Sequence, residues 1–267
     1  MSDLFDITGR VAMVTGGSRG LGRQIAEGLL ESGATVIVAN RNEADGSSAA
    51  RELQERFGGH VIAVSMDVTD AESVRQAVAF VENTYGTVDI LVNCAGISLN
   101  TPLLLSEESI SSFRRTLDVN VIGLFQCTVA CIPGMKSRGW GRIINISSIY
   151  GMVGVDRSLY VDETDESFGL YGYTASKGAV CNLTRDLASS LSRHGVTVNS
   201  ILPATFVTDQ NRHLFEGDVL TRIKNRTPAG RVGSADDLKG VATFLASNAS
   251  SYVTGQMLAV DGGWLAW

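Results

Sequence analysis

The chain has 267 residues, 22 Lys and Arg against 28 Asp and Glu, a formal net charge of −6 and a hydrophobic content of 44%. The acidic balance excludes the basic face that a nucleic-acid surface needs, while length and apolar content suit one α/β domain with a sizeable core. No uninterrupted apolar run nears the ~20 residues of a membrane span. The start, Met-Ser-Asp-Leu-Phe-Asp, lacks the parts of a signal peptide, so a cytoplasmic protein is expected.

Residues 11–14 are an apolar run that leads into Thr-Gly-Gly-Ser-Arg-Gly-Leu-Gly at 15–22, and Leu21, Ile25 and Leu29 continue at helical spacing. A strand, a glycine turn and a helix in that order form the first turn of a dinucleotide-binding unit. Gly16 takes a tight turn, Gly20 lets backbone approach a pyrophosphate, and Gly22 lets helix and strand pack closely. The helix N-terminus offers N–H groups and a positive dipole end to the phosphates. Gly16, Ser18, Arg19, Gly20, Leu21 and Gly22 are therefore cofactor candidates.

Gly33 ends the first helix, and the uncharged run 35–39 reads as a buried parallel strand. An acidic residue about 20 positions past a glycine loop would bind the adenosine ribose of NAD; here Asn40 and Arg41 stand there. Asn40 carries no repelling charge, and Arg41, with Arg19 opposite, suits a 2′-phosphate. NADP(H) is the preferred cofactor on this reading, with NAD(H) the lesser one. A helix follows over 43–57, with Ala49, Ala50, Leu53 and Phe57 inward, closed by Gly58 and Gly59. Residues 60–66 form the third strand. Thr69 and Glu72 are spaced as a capping box for a helix that buries Val74, Val78 and Val81 and stops at Gly86.

Residues 88–92 are the fourth strand, followed by Asn93-Cys94-Ala95-Gly96. The stretch 107–138 is mostly helical, with a bend or break expected at Pro133. Asn120 lies in its middle, where Asn competes for backbone partners. Residues 142–146 are the fifth strand, ending in Ser147 and Ser148. From 151 to 172 no clean period holds, and Asp156, Asp162, Glu163, Asp165 and Glu166 crowd this stretch. It is either a substrate-contacting loop or an acidic surface ornament.

Tyr173 opens a helix with apolar Val180, Leu183, Leu187 and Leu191, ended by Gly195. The run 196–202 is the sixth strand. Residues 206–228 look irregular, as a mobile lid would. Ser234 and Asp237 make a capping box for a helix to Ala246, and 255–260 is the last strand. The closing Trp264-Leu265-Ala266-Trp267 suggests burial against the body or another subunit. Cys94, Cys127, Cys131 and Cys181 are too scattered for a disulfide framework. With His60, His194 and His213 far from them in sequence, they read as small core residues, and no metal site is expected.

The ordered set of glycine loop, Asn93-x-Ala-Gly, Asn120, Ser148, Tyr173-x-x-x-Lys177 and Pro203 with Thr208 resembles the classical short-chain dehydrogenase/reductase family from Phe5 to Gly263. Cys94 and Ala204 depart from the family's usual Asn and Gly. The resemblance implies one doubly wound α/β Rossmann domain over 1–267, with a parallel sheet of about seven strands. Substrate loops fall at 149–172 and 204–229. It implies a homotetramer, with a dimer as the alternative, and a small-molecule substrate, with neither nucleic acid nor membrane as partner.

By the same resemblance, Asn120, Ser148, Tyr173 and Lys177 are catalytic. Asp67, Val68, Asn93, Ala95, Gly96, Tyr173, Lys177, Pro203 and Thr208 join Asn40 and Arg41 at the cofactor. Asp67 and Val68 would touch the adenine and Thr208 the nicotinamide end. Asn120 would open its helix and hold a water that links Lys177 to solvent. Tyr173 and Lys177, four apart on a helix, share a face. An ammonium about 4 Å from a phenol is worth roughly 4 kcal/mol at an effective dielectric of about 20, which would lower the phenol's pKa by about two to three. Tyr171 stands six before Lys177, off that face. Hydride transfer between an alcohol and a carbonyl follows, with Tyr173 as acid or base and Ser148 hydrogen-bonding the reacting oxygen.

Phe-Asp-Ile-Thr-Gly-Arg at 5–10, Asn-Arg-Asn-Glu-Ala at 40–44 and Thr-Pro-Ala-Gly-Arg at 227–231 resemble the sugar-acid branch typified by gluconate 5-dehydrogenases. A 3-oxoacyl-thioester reductase is the alternative, and a non-catalytic NADP-binding regulator the third reading. Retention of all four catalytic positions opposes the third.

Overall fold

The computed structural model describes residues 4–160, 167–208, 211–215 and 217–267. Asp162, Glu163, Asp165 and Glu166 lie outside the described residues. Seven parallel strands, β1 Val11–Thr15, β2 Thr35–Asn40, β3 Val61–Ser65, β4 Ile90–Asn93, β5 Gly141–Ile146, β6 Val196–Pro203 and β7 Met257–Val260, form one sheet. Their order is β3-β2-β1-β4-β5-β6-β7. The order reverses between β1 and β4, so a crevice opens beyond their C-terminal ends, where such sheets bind ligands.

The strands alternate between two cores. Ala12, Val14, Val36, Val38, Ile90 and Val92 face α1 (Gly20–Glu31), α2 (Glu43–Phe57) and α8 (Ala235–Ala246), packing on Ile25, Leu29, Leu53, Leu238 and Leu245. Met13, Ile37, Leu91, Ile143 and Val198 face α3 (Ala71–Tyr85), α5 (Leu124–Arg138) and α6 (Tyr171–Leu191). Both faces of the sheet are covered, which is why its strands are apolar runs. Burying an aliphatic side chain contributes about 1.5–3 kcal/mol, so these two layers hold the crevice rigid. Cys127 and Cys131 belong to the second layer; burial pushes the Cys127 thiol up to about 12 and raises Cys131 as well.

The predicted capping box at Ser234 and Asp237 is present. The one at Thr69 and Glu72 is not. Asp70 caps α3, accepting from Glu72 N at 2.9 Å, because Asp67 Oδ1 already takes the Thr69 N–H and hydroxyl at 2.9 and 2.7 Å. The stretch Glu107–Arg138 is helical throughout, and by length and composition alone it would suffice to cross a membrane. Its apolar positions include Cys127, Cys131 and Met135, all buried in the second layer. The interruption is a π-helical segment, Asp118–Gly123, between α4 (Glu107–Leu117) and α5, rather than a break at Pro133, which sits inside α5. A π-turn leaves the regular hydrogen-bond ladder and often marks a functional site.

The lid is less irregular than expected, since 219–226 form a helix, α7 (Val219–Arg226), that buries Val219 and Ile223. Leu159, from the loop before α6, packs with these two, with Ile149 and with Trp264. Arg222 Nε donates to Leu159 O at 3.2 Å. The far end of that loop is pinned too: Thr101 N donates to Gly169 O at 2.7 Å and Asn100 Nδ2 to Ser167 O at 2.7 Å. The two predicted substrate loops thus pack on each other through Leu159 and α7. Of the closing tryptophans, Trp264 is buried here while Trp267 is 70% exposed, with the Arg226 guanidinium over both rings.

Candidate functional site

At the crevice, Thr15 Oγ1 accepts from Cys94 N at 3.0 Å and Ala95 N at 2.9 Å. This ties the loop after β4 to the end of β1. Gly16 (φ +65°) lies against it, and a Cβ there would sit 3.1 Å from Ala95 Cα. At Gly22 a Cβ would fall 2.3 Å from Gly16 O, so glycine is required for the helix to close on the turn. Gly20 has φ 56°, and α1 starts there with no side-chain cap from Arg19. Ser18 is buried, Leu21 half-buried and Arg19 exposed. An uncapped helix start beside a tight glycine turn is the donor set a pyrophosphate requires, so the chain's residues fit a dinucleotide.

Asn40 is half-buried and Arg41 exposed. Burial alone would raise the Asp67 carboxyl, but the Thr69 bonds, with Arg41 and Arg115 nearby, hold it below its ordinary range. Arg41 and Asp67 therefore share one rim of the crevice. Val68 is buried and packs on the π-segment: a Cβ on Gly123 would lie 2.7 Å from Val68 Cγ2, and Gln126 Nε2 donates to Val68 O at 3.0 Å. Asn93 faces the interior, donating through Nδ2 to Thr128 Oγ1 at 3.1 Å and Asn145 Oδ1 at 2.9 Å. Its side chain braces β4 against β5 and α5, so it is committed to the interior rather than to the cofactor at which the sequence places it.

Asn120 Oδ1 accepts from Ile97 N at 2.8 Å, and its Nδ2 donates to Ile97 O and Ser176 Oγ, both at 2.9 Å. Both N–H donors are thereby spent, and the loop from Gly96 onward is stapled to the π-segment and α6. A Cβ on Gly96 would lie 3.3 Å from Asn120 Oδ1 and 3.7 Å from Lys177 Nζ, so these three groups meet at one point. Lys177 Nζ donates to Ile146 O at 2.7 Å. Ser148 is buried after β5, its Oγ accepting from Tyr150 N at 3.2 Å, and its side chain lies beside the Tyr173 phenol, whose pKa it lowers.

The expected pKa logic is only half present. Burial takes Lys177 down to about 8. Burial also raises Tyr173 above its ordinary value, against the lowering effect of Ser148 and with Tyr160 and Cys94 adding to the rise. The Lys177 ammonium is engaged by Ile146 O and lies 5.5 Å from the Tyr173 ring centroid. Tyr171 is the first residue of α6 and is exposed. Pro203 ends β6, and Thr208, half-buried, is held by a turn in which Thr208 N donates to Asn211 Oδ1 at 2.7 Å and Asn211 Nδ2 to Phe206 O at 2.9 Å. Asn211, three past Thr208, was not singled out from sequence, although Thr-x-x-Asn is a spacing at which a side chain can close a turn.

A seven-stranded parallel sheet with a glycine turn at its switch point, and a Ser, Tyr and Lys converging beside it, defines a dinucleotide-dependent oxidoreductase of the Rossmann class. A family model described as enoyl-(acyl carrier protein) reductase matches residues 16–265. The chain is 38% identical to a gluconate 5-dehydrogenase of Gluconobacter oxydans, over 98% of this chain and 96% of that one. It is 33% identical to a 3-oxoacyl-(acyl-carrier-protein) reductase of Aquifex aeolicus, over 96% and 98%. It superposes with a TM-score of 0.89, at 36% identity and covering 100% and 99%, on the crystal structure of a gluconate 5-dehydrogenase from Burkholderia cenocepacia in complex with NADP and tartrate. The chain belongs to the short-chain dehydrogenase/reductase family and is an oxidoreductase acting on CH–OH groups.

Proposed function

We propose that this enzyme interconverts a secondary alcohol and a ketone on a polar sugar-acid or polyol-like substrate, with NADP(H) preferred over NAD(H). The observation that carries the chemistry is the convergence of Ser148, Tyr173, Lys177 and Asn120 at the mouth of the β1/β4 crevice. The full-length likeness to gluconate 5-dehydrogenase supports the substrate class. NADPH when bound supplies hydride to the carbonyl carbon. In that direction Tyr173 gives its proton to the carbonyl oxygen, and its raised pKa keeps the proton in place until then. Ser148 Oγ hydrogen-bonds the same oxygen and holds it in line. The Tyr173 phenolate left behind would regain its proton by way of Lys177, which gives up one ammonium proton towards it and recovers one from a water held at the opened π-turn around Asn120. Oxidation reverses each role.

The glycine turn at Gly16, Gly20 and Gly22, with Ser18 and Leu21, would hold the pyrophosphate. Asp67 and Val68 would flank the adenine, Ala95 and Gly96 the ribose, and Thr208 beside Pro203 the nicotinamide end. Arg41, with Arg19 across the turn, would pair with the 2′-phosphate. Arg41→Ala is expected to raise KM for NADPH about tenfold to a hundredfold, the range of a charge-assisted hydrogen bond, and to leave KM for NADH nearly unchanged. Steady-state kinetics with both cofactors check this; equal effects on the two would remove Arg41 from phosphate binding.

The reading extends to a cytoplasmic homotetramer. The four cysteines are free thiols, in keeping with a reducing compartment. Ile122, Phe125 and Val129 are each exposed at helical spacing along the π-segment and α5, an apolar stripe suited to a neighbouring copy. Light scattering on the eluting protein is expected to give four times the chain mass, and replacing Phe125 by Glu to lower it. The substrate assignment is tested by NADPH oxidation with 5-ketogluconate and with an acetoacetyl thioester side by side. Turnover of the keto acid supports it, and turnover of the thioester alone refutes it.

A further inference from the structure

The site contains a second cluster of hydroxyls that the proposed chemistry does not use. Tyr150 lies two residues after Ser148, and Tyr160 lies in the loop between β5 and α6. Their hydroxyls are 2.6 Å apart, and the Thr205 side chain, just past β6, lies beside Tyr160. All three residues are half-buried. The placement is built rather than incidental. Tyr160 stacks on Phe168 with centroids 6.0 Å apart and planes at 25°. Leu159 and Ile149, the neighbours of the two tyrosines, are buried against α7 and Trp264. Both phenols lie close enough to Tyr173 that charge on one is felt by another.

Counting donors gives the cluster a use. Three hydroxyls carry three protons. The bond between the two phenols consumes one, whichever way it points. Two O–H donors and several lone pairs are left over beside the reacting tyrosine. Two phenols and a threonine carry no charge near neutral pH, so they suit an alcohol oxygen better than a carboxylate or a phosphate. An acyl chain would leave these donors without partners, each costing about as much as a lost hydrogen bond.

We propose that Tyr150, Tyr160 and Thr205 form a hydroxyl-reading subsite that binds an alcohol group of the substrate away from the reacting carbon, with Tyr160 as the residue by which this loop sets specificity. This rests on the sugar-acid reading only in taking a hydroxyl-bearing substrate. The three residues are positioning groups, since the proton transfer itself belongs to Tyr173. The loop thereby acts as part of the substrate wall rather than as surface ornament.

The test uses the full-length enzyme and NADPH with 5-ketogluconate, dihydroxyacetone and acetone. The readout is the ratio of kcat/KM for each hydroxylated ketone to that for acetone. The unaltered enzyme is expected to favour the hydroxylated ketones. Tyr150→Phe and Tyr160→Phe should each lower the ratio about tenfold, the loss of one buried hydrogen bond, mainly through KM. The phenyl rings retain the stacking, and circular dichroism with NADPH titration confirms the fold of each variant. A ratio unchanged in both variants, or an unaltered enzyme with no preference for hydroxylated ketones, overturns the proposal. Inert 5-ketogluconate with the dihydroxyacetone preference intact would instead refute the sugar-acid assignment and leave the subsite standing.

Discussion

Tyr173→Phe is expected to reduce turnover by about 10²–10⁴-fold, the range for losing a positioned acid or base, while NADPH still binds. The change deletes one oxygen and keeps the ring. The hydroxyl it removes is the one beside Ser148, so the variant loses the proton donor and part of the hydrogen bonding expected at the carbonyl oxygen. Ser148→Ala should cost about 10²–10³-fold, as for loss of one donor to a developing oxyanion. The double variant should fall little further than Tyr173→Phe alone, because groups that act as a unit are not additive. Fluorescence titration with NADPH separates binding from chemistry. Turnover of Tyr173→Phe near that of the unaltered enzyme would remove Tyr173 from the mechanism and reopen the reading of the chain as a non-catalytic regulator.

The second large effect concerns Lys177. Lys177→Met keeps the length of the side chain and removes its charge and its donor to Ile146 O, now at 2.7 Å. A buried carbonyl left without a partner costs about 1–3 kcal/mol, so the melting temperature should fall, but the fold should hold. Turnover is expected to drop at least about a hundredfold. The pH profile tells a charge role from a structural one. Burial places Lys177 at about 8 in the free enzyme. It is protonated below that value and loses its charge above it. For reduction, kcat/KM should therefore fall as pH rises through about 8, since kcat/KM reports groups of the free enzyme. That alkaline limb should be missing in Lys177→Met. A limb at the same pH in the variant would assign it to another group.

Much of the molecule can be read from its residues because both faces of the sheet are buried. Uncharged runs such as 35–39 and 196–202 have few alternatives to a central parallel strand, and glycines at 33, 86 and 195 mark where the chain must turn with positive φ. The ends of elements were harder. Thr69 and Asp70 can both cap α3, and the choice fell to Asp70 because Asp67, which no periodicity reveals, draws in the Thr69 hydroxyl. Helix α7 was hidden because only Val219 and Ile223 turn inward among polar Thr221, Arg222, Lys224 and Asn225, too thin a stripe to show a period.

At the site, order and spacing carried the Ser148, Tyr173, Lys177 and Asn120 set, and the chain brings those four together. Electrostatics did not follow from spacing. Four residues along a helix place Lys177 on the face of Tyr173, but the carbonyl of Ile146, from a strand 31 residues earlier, decides where the ammonium points. The Tyr150 and Tyr160 pair was equally out of reach, since ten residues of aperiodic loop separate two hydroxyls that end 2.6 Å apart.

The central claim is that this chain passes hydride to the ketone of a sugar acid. The most direct measurement is reduction of 5-ketogluconate with NADPH deuterated at the transferring position of nicotinamide C4, with the product analysed by mass spectrometry and NMR. The account predicts one deuterium per product molecule, bonded to the new carbinol carbon at C5. A product without that deuterium, or label appearing only in a 3-hydroxyacyl thioester when both substrates are supplied, would contradict it.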